Sequence, residues 1–141
     1  MPSQDKSPFR RTAAGEIPAK KVHEYADVVA FHDINPQAPT HVLVIPRKHI
    51  PMLNDLTDAD AATIGTTLVR ATEIARDLRL HDDGYRLVVN NGEGAGQTVF
   101  HIHVHILGGR NFAWPPRWEA QLRVRGRGIK VYDLEGREYT D

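Results

Sequence analysis

The chain has 141 residues, 18 basic and 18 acidic side chains and no cysteine, which is enough sequence for one domain with its own core and leaves no route to a disulfide or a thiolate zinc site. The balanced charge supplies no global field that would draw the protein to nucleic acid, an anionic membrane or a strongly acidic partner. No apolar run approaches a membrane span and the N-terminal MPSQDKSPFRR lacks the apolar centre of a secretion signal, so a cytoplasmic protein that engages neither nucleic acid nor membrane is expected.

In chain order, residues 1–7 are polar and read as a loose leader. Phe9 to Glu16 then predicts a short helix, with Ile17-Pro18 opening the next element. Val22–Phe31 and His41–Ile45 predict strands, being rich in Val, Ile and aromatics and bounded by Asn35-Pro36 and Pro46. In the second strand His41, Leu43 and Ile45 take one face, Val42 and Val44 the other. A long helix is predicted from about Asp58 to Leu80, where Ala61, Ile64, Leu68, Ala71, Ala75 and Leu78 recur at three- and four-residue steps. Thr57 suits its N-cap, and Asp60 suits the positive end of the helix. Tyr85–Asn90 predicts a strand, Asn91–Gly96 a glycine-rich turn, and Val99–Leu107 a further strand; a tight turn makes those two antiparallel. The sum is an α+β fold, an antiparallel sheet of about five strands with one long helix on a face and a short N-terminal helix. Leu122–Arg125 and Ile129–Tyr132 alternate apolar and charged residues around Gly126-Arg-Gly128, which predicts a hairpin, with a partly ordered tail as the alternative.

Three of the eight histidines fall in His101-Ile-His-Val-His105. On a strand they share one face, opposite Ile102, Val104 and Ile106, so they are expected on a surface that packing does not require. A metal site is one reading, since strand imidazoles ligate zinc, although the strand's rise sets 101 and 105 far apart for one ion unless the strand bends. Phosphoryl chemistry is a second: a neutral imidazole attacks phosphorus and a neighbouring imidazolium offers charge or a proton. Half-exposed sheet histidines without a role are a third. The loop before the strand weighs for the second reading. Asn90-Asn-Gly-Glu-Gly-Ala-Gly-Gln-Thr98 has three glycines in five positions, which lets backbone N–H groups approach a phosphate, and adds the amides of Asn90 and Gln97 and the hydroxyl of Thr98. A plain hairpin turn would account for two of those glycines. No Gly-Lys-Ser/Thr follows, so this is not a P-loop.

Gly96-Gln-Thr-Val-Phe-His-Ile-His-Val-His-Ile-Leu-Gly-Gly-Arg110 resembles the signature of the histidine triad (HIT) superfamily, and more narrowly its Hint branch of purine nucleoside phosphoramidases. Supporting stretches are Gly15-Glu-Ile-Pro-Ala-Lys20, Phe31-His-Asp-Ile-Asn-Pro-Gln-Ala-Pro39 followed by His41, Val44-Ile-Pro46 and Trp114-Pro-Pro116. The resemblance implies a HIT domain over 8–116 and an extension over 117–141. It implies that His103 is the nucleophile forming a nucleotidyl-histidine, that His105 assists departure of the amine, and that His101 and His41 orient their neighbours. Ribose and base contacts fall at His32, Asp33 and Ile34, with Phe9, Ile17 and Phe31 as pocket walls; phosphate contacts fall at Asn90, Gly96, Gln97 and Thr98. Asp33 is apt for a ribose diol, and equally for forming the turn before Asn35-Pro36. A homodimer with a continuous sheet is implied, bringing Trp114 near the partner's site; a surface-packed terminus is the plainer reading of that tryptophan.

Two departures stand out. Thr12 occupies a position where many relatives carry an apolar residue, and Arg117 with 24 further residues follows Trp114-Pro-Pro116 where Hint proteins usually end. The expected activity is metal- and cofactor-independent hydrolysis of purine nucleoside 5′-phosphoramidates to AMP or GMP plus amine. Its alternatives are hydrolysis of dinucleoside polyphosphates, nucleotidyl transfer, and a non-catalytic nucleotide-binding interaction module.

Overall fold

A computed structural model describes residues 20–116, 130–132 and 138–140. The predicted leader, the predicted helix Phe9–Glu16, the pocket residues Phe9 and Ile17, Thr12, and the segment 122–128 lie outside the described residues. The chain divides into two compact units between Gly109 and Arg110.

In the first unit, strands β1 (Lys21–Glu24), β2 (Val28–His32), β3 (Thr40–Pro46), β4 (Tyr85–Val88) and β5 (Val104–Gly108) form one antiparallel sheet in the order β1-β2-β3-β5-β4. The single strand expected over 22–31 is therefore two. The chain reverses at Tyr25-Ala-Asp27, where the Tyr25 N–H donates to the Val28 carbonyl at 2.9 Å. Alternation along the strands sorts the core. Val28, Ala30, Val42, Val44, Val104 and Ile106 pack on one side, against Ala71, Ile74 and Ala75 of helix α1 (Ala61–Asp77). Val29, Phe31, Leu43 and Ile45 cluster on the other.

Helix α1 follows a 3₁₀ turn at Asp58–Asp60, in which the Thr57 hydroxyl accepts from the Ala59 N–H and Asp60 accepts from the Thr57 N–H at 3.0 Å. This reciprocal capping sets the start where the sequence puts it. The end comes three residues sooner than expected. Arg79 takes a left-handed φ of 63° and the Leu80 N–H turns back to the Ala75 carbonyl, which buries the Leu80 side chain. Ile74 and Thr67 join the buried face, whereas Leu68 of the expected stripe is 40% exposed. Leu68 and Ile64 wall an apolar cavity of about 180 Å³ instead of closing on the sheet.

The histidine strand is shorter than its sequence predicts, and this matters most for the site. Regular pairing begins at Val104, opposite Val44. Next along β3, beyond Ile45, comes Pro46, which has no N–H to continue the ladder. Residues 101–103 therefore run beside the chain that leaves β3, and the Ile102 N–H donates to the Ile50 carbonyl at 2.7 Å. The turn expected at 91–96 is likewise not a tight hairpin: a 3₁₀ turn at Glu93–Ala95 sits inside a long connection between β4 and β5.

In the second unit, β6 (Lys130–Tyr132) pairs antiparallel with β7 (Glu138–Thr140), Val131 in register with Tyr139. The strand expected to pair with Ile129–Tyr132 lies outside the described residues, and the pairing present is to the C-terminal side. No helix among the described residues is long and apolar enough to cross a membrane.

Candidate active site

The central strands β3 and β5 carry two of the site's imidazoles, His41 and His105. His105 stands in register with Leu43, and directly opposed residues share a face. His41, two positions before Leu43, shares it too, so both imidazoles lie on the side of the sheet away from α1. Their rings are 5.1 Å apart between centroids, and the His103 ring is 4.9 Å from that of His105. The expectation of an exposed histidine face is corrected at two positions. His101 and His103 are only 2% and 8% exposed, because the irregular segment 101–103 tucks them against the 46–50 chain. His101 is a core residue.

Hydrogen bonds fix which nitrogen of each neutral ring carries the proton, since a carbonyl only accepts and a backbone N–H only donates. His101 donates from Nε2 to the Pro46 carbonyl at 2.8 Å. His103 donates from Nδ1 to the His101 carbonyl at 2.8 Å, so its Nε2 keeps a lone pair. His41 accepts the Gln37 N–H on Nδ1 at 3.0 Å, so its proton is on Nε2. That nitrogen lies 2.9 Å from His105 Nδ1 and 3.4 Å from Asp33 Oδ2. His105 Nδ1 is the nearer acceptor, which leaves the His105 proton on Nε2. The pair thus offers a nucleophilic nitrogen on one ring and an N–H donor on the next.

Burial favours the neutral form of His103, His41 and His105. Loss of solvent pushes His103 below the usual 6.5, against the opposing pull of its bond to His101 and of Asp33. It does the same to His41. His105 is pushed down to about 3, by desolvation first and then by His103 and His41. A resting imidazolium, one of the roles the sequence allows, is therefore absent from this group at neutral pH.

Asp33, His41 and His105 bring three potential donor atoms within 4.8 Å of one another. The proton positions oppose a metal there. To ligate through Nε2, His41 would have to shed that proton while Nδ1 already accepts from Gln37, which demands an imidazolate or a broken backbone bond. The trio is arranged to share protons.

In the loop, Gly92 and Gly96 adopt φ of 88° and 101°, positive values that glycine takes at little cost and an L side chain does not. Gln97 staples the loop shut. Its Oε1 accepts from the Gly92 N–H at 2.8 Å and its Nε2 donates to the Pro51 and Val99 carbonyls. Both of its N–H groups are thereby occupied by protein. Asn90 lies beside Gly96 and is half-buried, and Thr98 is exposed.

Residues 14–112 match the HIT domain. The chain belongs to the HIT family. It is 53% identical over 108 residues to an uncharacterized HIT-like protein of Synechocystis sp., a match spanning 77% of this chain and 94% of that protein. Among solved structures it is similar to a HIT family hydrolase from Legionella pneumophila Philadelphia 1, with 49% identity and a TM-score of 0.77 over 79% of this chain and 100% of that one. A HIT family hydrolase from Clostridium thermocellum is similar at 39% identity and a TM-score of 0.74, over 77% and 94% of the two chains. The five-stranded antiparallel sheet with one long helix is the HIT fold.

Within this HIT domain the structure gathers His41, His103, His105 and Asp33. Asp33 serves two bonds at once: Oδ1 accepts the Asn35 N–H at 2.8 Å, the turn-forming role, while Oδ2 faces His41. His32 ends β2 half-buried, Phe31 is buried, and Ile34 stands 98% exposed. Trp114 is an exposed residue of the second unit. Sequence reasoning missed Gln37, which acts through its backbone and has no side-chain signature. It also missed His49, whose Nε2 donates to the Phe100 carbonyl at 3.0 Å.

Proposed function

We propose that this HIT protein hydrolyses purine nucleoside 5′-phosphoramidates through a nucleotidyl-histidine intermediate. The observation that carries the reading is the His103 Nδ1–H bond to the His101 carbonyl, which leaves Nε2 of a neutral ring as the nucleophile. His103 Nε2 attacks the α-phosphorus, the P–N bond to the amine breaks, and the departing nitrogen gains a proton. Water then adds its hydroxyl to phosphorus and breaks the bond to His103, its remaining proton returning to the His105 nitrogen that protonated the amine; AMP or GMP leaves and the His103 lone pair is restored. The His105 ring is 4.9 Å from that of His103, and its Nε2–H gives the proton to the departing nitrogen, while His41 and His101 hold the proton pattern.

The glycine-rich loop suits the phosphate through the backbone at Gly96, the Thr98 hydroxyl and Asn90, with Gln97 bracing it. His32, Asp33, Ile34 and Phe31 are the base and ribose side, to which the family resemblance also assigns Phe9 and Ile17, outside the described residues. The names of the hydrolases from Legionella pneumophila and Clostridium thermocellum favour an enzyme over a binding module. The Trp114-Pro-Pro116 segment favours phosphoramidates over dinucleoside polyphosphates. A homodimer fits β4, an edge strand whose residues are half-buried, as the point where the sheet continues; the HIT domain then spans 8–116 and the 117–141 segment is an addition to it.

The test is turnover of adenosine 5′-phosphoramidate against a diadenosine polyphosphate, with intact-mass detection of an AMP adduct on His103 after acid-free quenching. AMP and amine with a transient adduct support the reading. Faster cleavage of the polyphosphate would move the protein to another HIT activity, and binding without adduct or turnover would make it a nucleotide-binding module.

A further inference from the structure

A fifth imidazole, beside those of His41, His101, His103 and His105, holds the segment that carries the nucleophile. Three hydrogen bonds tie residues 100–102 to residues 46–50. His101 donates from Nε2 to the Pro46 carbonyl, His49 donates from Nε2 to the Phe100 carbonyl at 3.0 Å, and the Ile102 N–H donates to the Ile50 carbonyl at 2.7 Å. The His49 ring also packs on that of His101, centroids 4.9 Å apart and tilted by 49°.

The consequence follows from the planarity of the peptide unit. The unit joining His101 to Ile102 holds His103 Nδ1 through its carbonyl and is anchored at Ile50 through its N–H, so the two ends turn together. The unit before it, joining Phe100 to His101, is anchored through its carbonyl by His49. Residues 101–103 lie outside the regular ladder of β5, so no strand pairing orients them. These side anchors do it.

We propose that His49 is a positioning residue for His103. By donating to the Phe100 carbonyl and packing on His101, it fixes the direction of the His101 carbonyl, which keeps the His103 proton on Nδ1 and the lone pair on Nε2. Its effect on turnover rests on the phosphoramidase reading; its effect on the His103 tautomer does not.

The experiment compares the full chain with His49→Phe, which keeps a ring and loses the donor, and His49→Gln, which restores a donor near the same place. Long-range ¹H–¹⁵N correlation of the imidazoles reads the His103 tautomer, and steady-state kinetics on adenosine 5′-phosphoramidate reads kcat and KM. The expected result is a mixed His103 tautomer in His49→Phe, with kcat down about tenfold and KM within about twofold, the pattern of a misdirected nucleophile. His49→Gln should recover both. A purely Nδ1–H His103 and near-normal kcat in folded His49→Phe would overturn the proposal, as would a Gln variant that behaves like Phe. Should His49→Phe fail to fold, His49→Met, also without a donor and more adaptable in shape, takes its place. If the wild type turns over no phosphoramidate, the functional reading fails while the tautomer comparison still decides the role of His49.

Discussion

His41 Nε2 lies 2.9 Å from His105 Nδ1, and the direction of that hydrogen bond is set at Gln37, whose backbone N–H occupies the other nitrogen of His41 at 3.0 Å. A main-chain donor thus decides the proton position on a ring two bonds away. His41→Phe removes the relay at its middle, freeing His105 to carry its proton on either nitrogen. We expect kcat to fall by roughly ten- to a hundredfold, the scale of losing an oriented proton donor. The loss should be larger for phosphoramidates of basic alkylamines than for those of arylamines, because the more basic departing nitrogen relies more heavily on proton transfer. Steady-state rates across such a leaving-group series check this, and an equal loss for both classes would argue for damaged binding.

His103→Ala removes the lone pair on which the proposed reaction depends. Turnover should fall by at least about a thousandfold, since the proposed covalent step runs through His103 Nε2. No AMP adduct should appear by intact mass. Substantial residual activity in this variant would rule out covalent catalysis at His103.

Acid should affect activity and stability in different ways. His103 is lowered below 6.5, so its nucleophilic form persists beneath that value, and the acid limb of kcat/KM for the free enzyme should lie below pH 6.5. For stability the sign is set by proton uptake. Between about 6.5 and the lowered folded values, about 3 for His105, the unfolded chain binds protons that the folded chain refuses. Stability is therefore full above 6.5 and is lost as pH falls through that window. Asp60, whose carboxyl is held low by its bond to Lys48, adds a loss in the same direction near and below its usual 3.8. Urea melts from pH 7 to 4 should show the decline, and His105→Gln should flatten it; an unchanged slope in that variant would contradict the burial argument.

What the sequence displays well is whatever depends on alternation and capping. His41, Leu43 and Ile45 against Val42 and Val44 is read directly from the period of two, and Thr57 with Asp60 from the capping pattern. The burial of His101 and His103 is not legible there, because local alternation carries no information about where a neighbouring strand stops. Pro46 ends the ladder, and only the tertiary pairing of Val44 with Val104 tells which residues that strands. The turn-forming duty of Asp33 Oδ1 is legible in the sequence, and the approach of its Oδ2 to His41 is not. The proton pattern was invisible altogether, being written by main-chain groups at Gln37, Pro46 and His101.

Removal of metal should leave turnover unchanged. The Asp33, His41 and His105 donors are close enough to suggest a site, but His41 cannot ligate through Nε2 without losing its proton or its bond to Gln37. Dialysis against a chelator should alter kcat by less than about twofold, within the ordinary scatter of such measurements, and added zinc should not enhance it. Activity lost on chelation and regained with zinc would mean that the Gln37 bond yields to metal.

Two adjacent glycines at the end of β5, Gly108 and Gly109, should respond unequally to the same change. A Cβ at Gly108 would meet the Leu80 Cδ1 and Cδ2 atoms at 2.8 Å, and a Cβ at Gly109 would meet the Pro39 Cβ at 2.9 Å. The distances are alike but the obstacles are not. Leu80 presents the far end of a side chain that can rotate, whereas Pro39 is a rigid ring fixed to its backbone. Gly109 moreover has a φ of 91°, where an L side chain is strained. Gly109→Ala should destabilise the fold by about 2–3 kcal/mol and Gly108→Ala by about 1 kcal/mol. Paired denaturant melts measure the difference; a larger cost at Gly108 would show that Leu80 is pinned by the surrounding core and that Pro39 gives way.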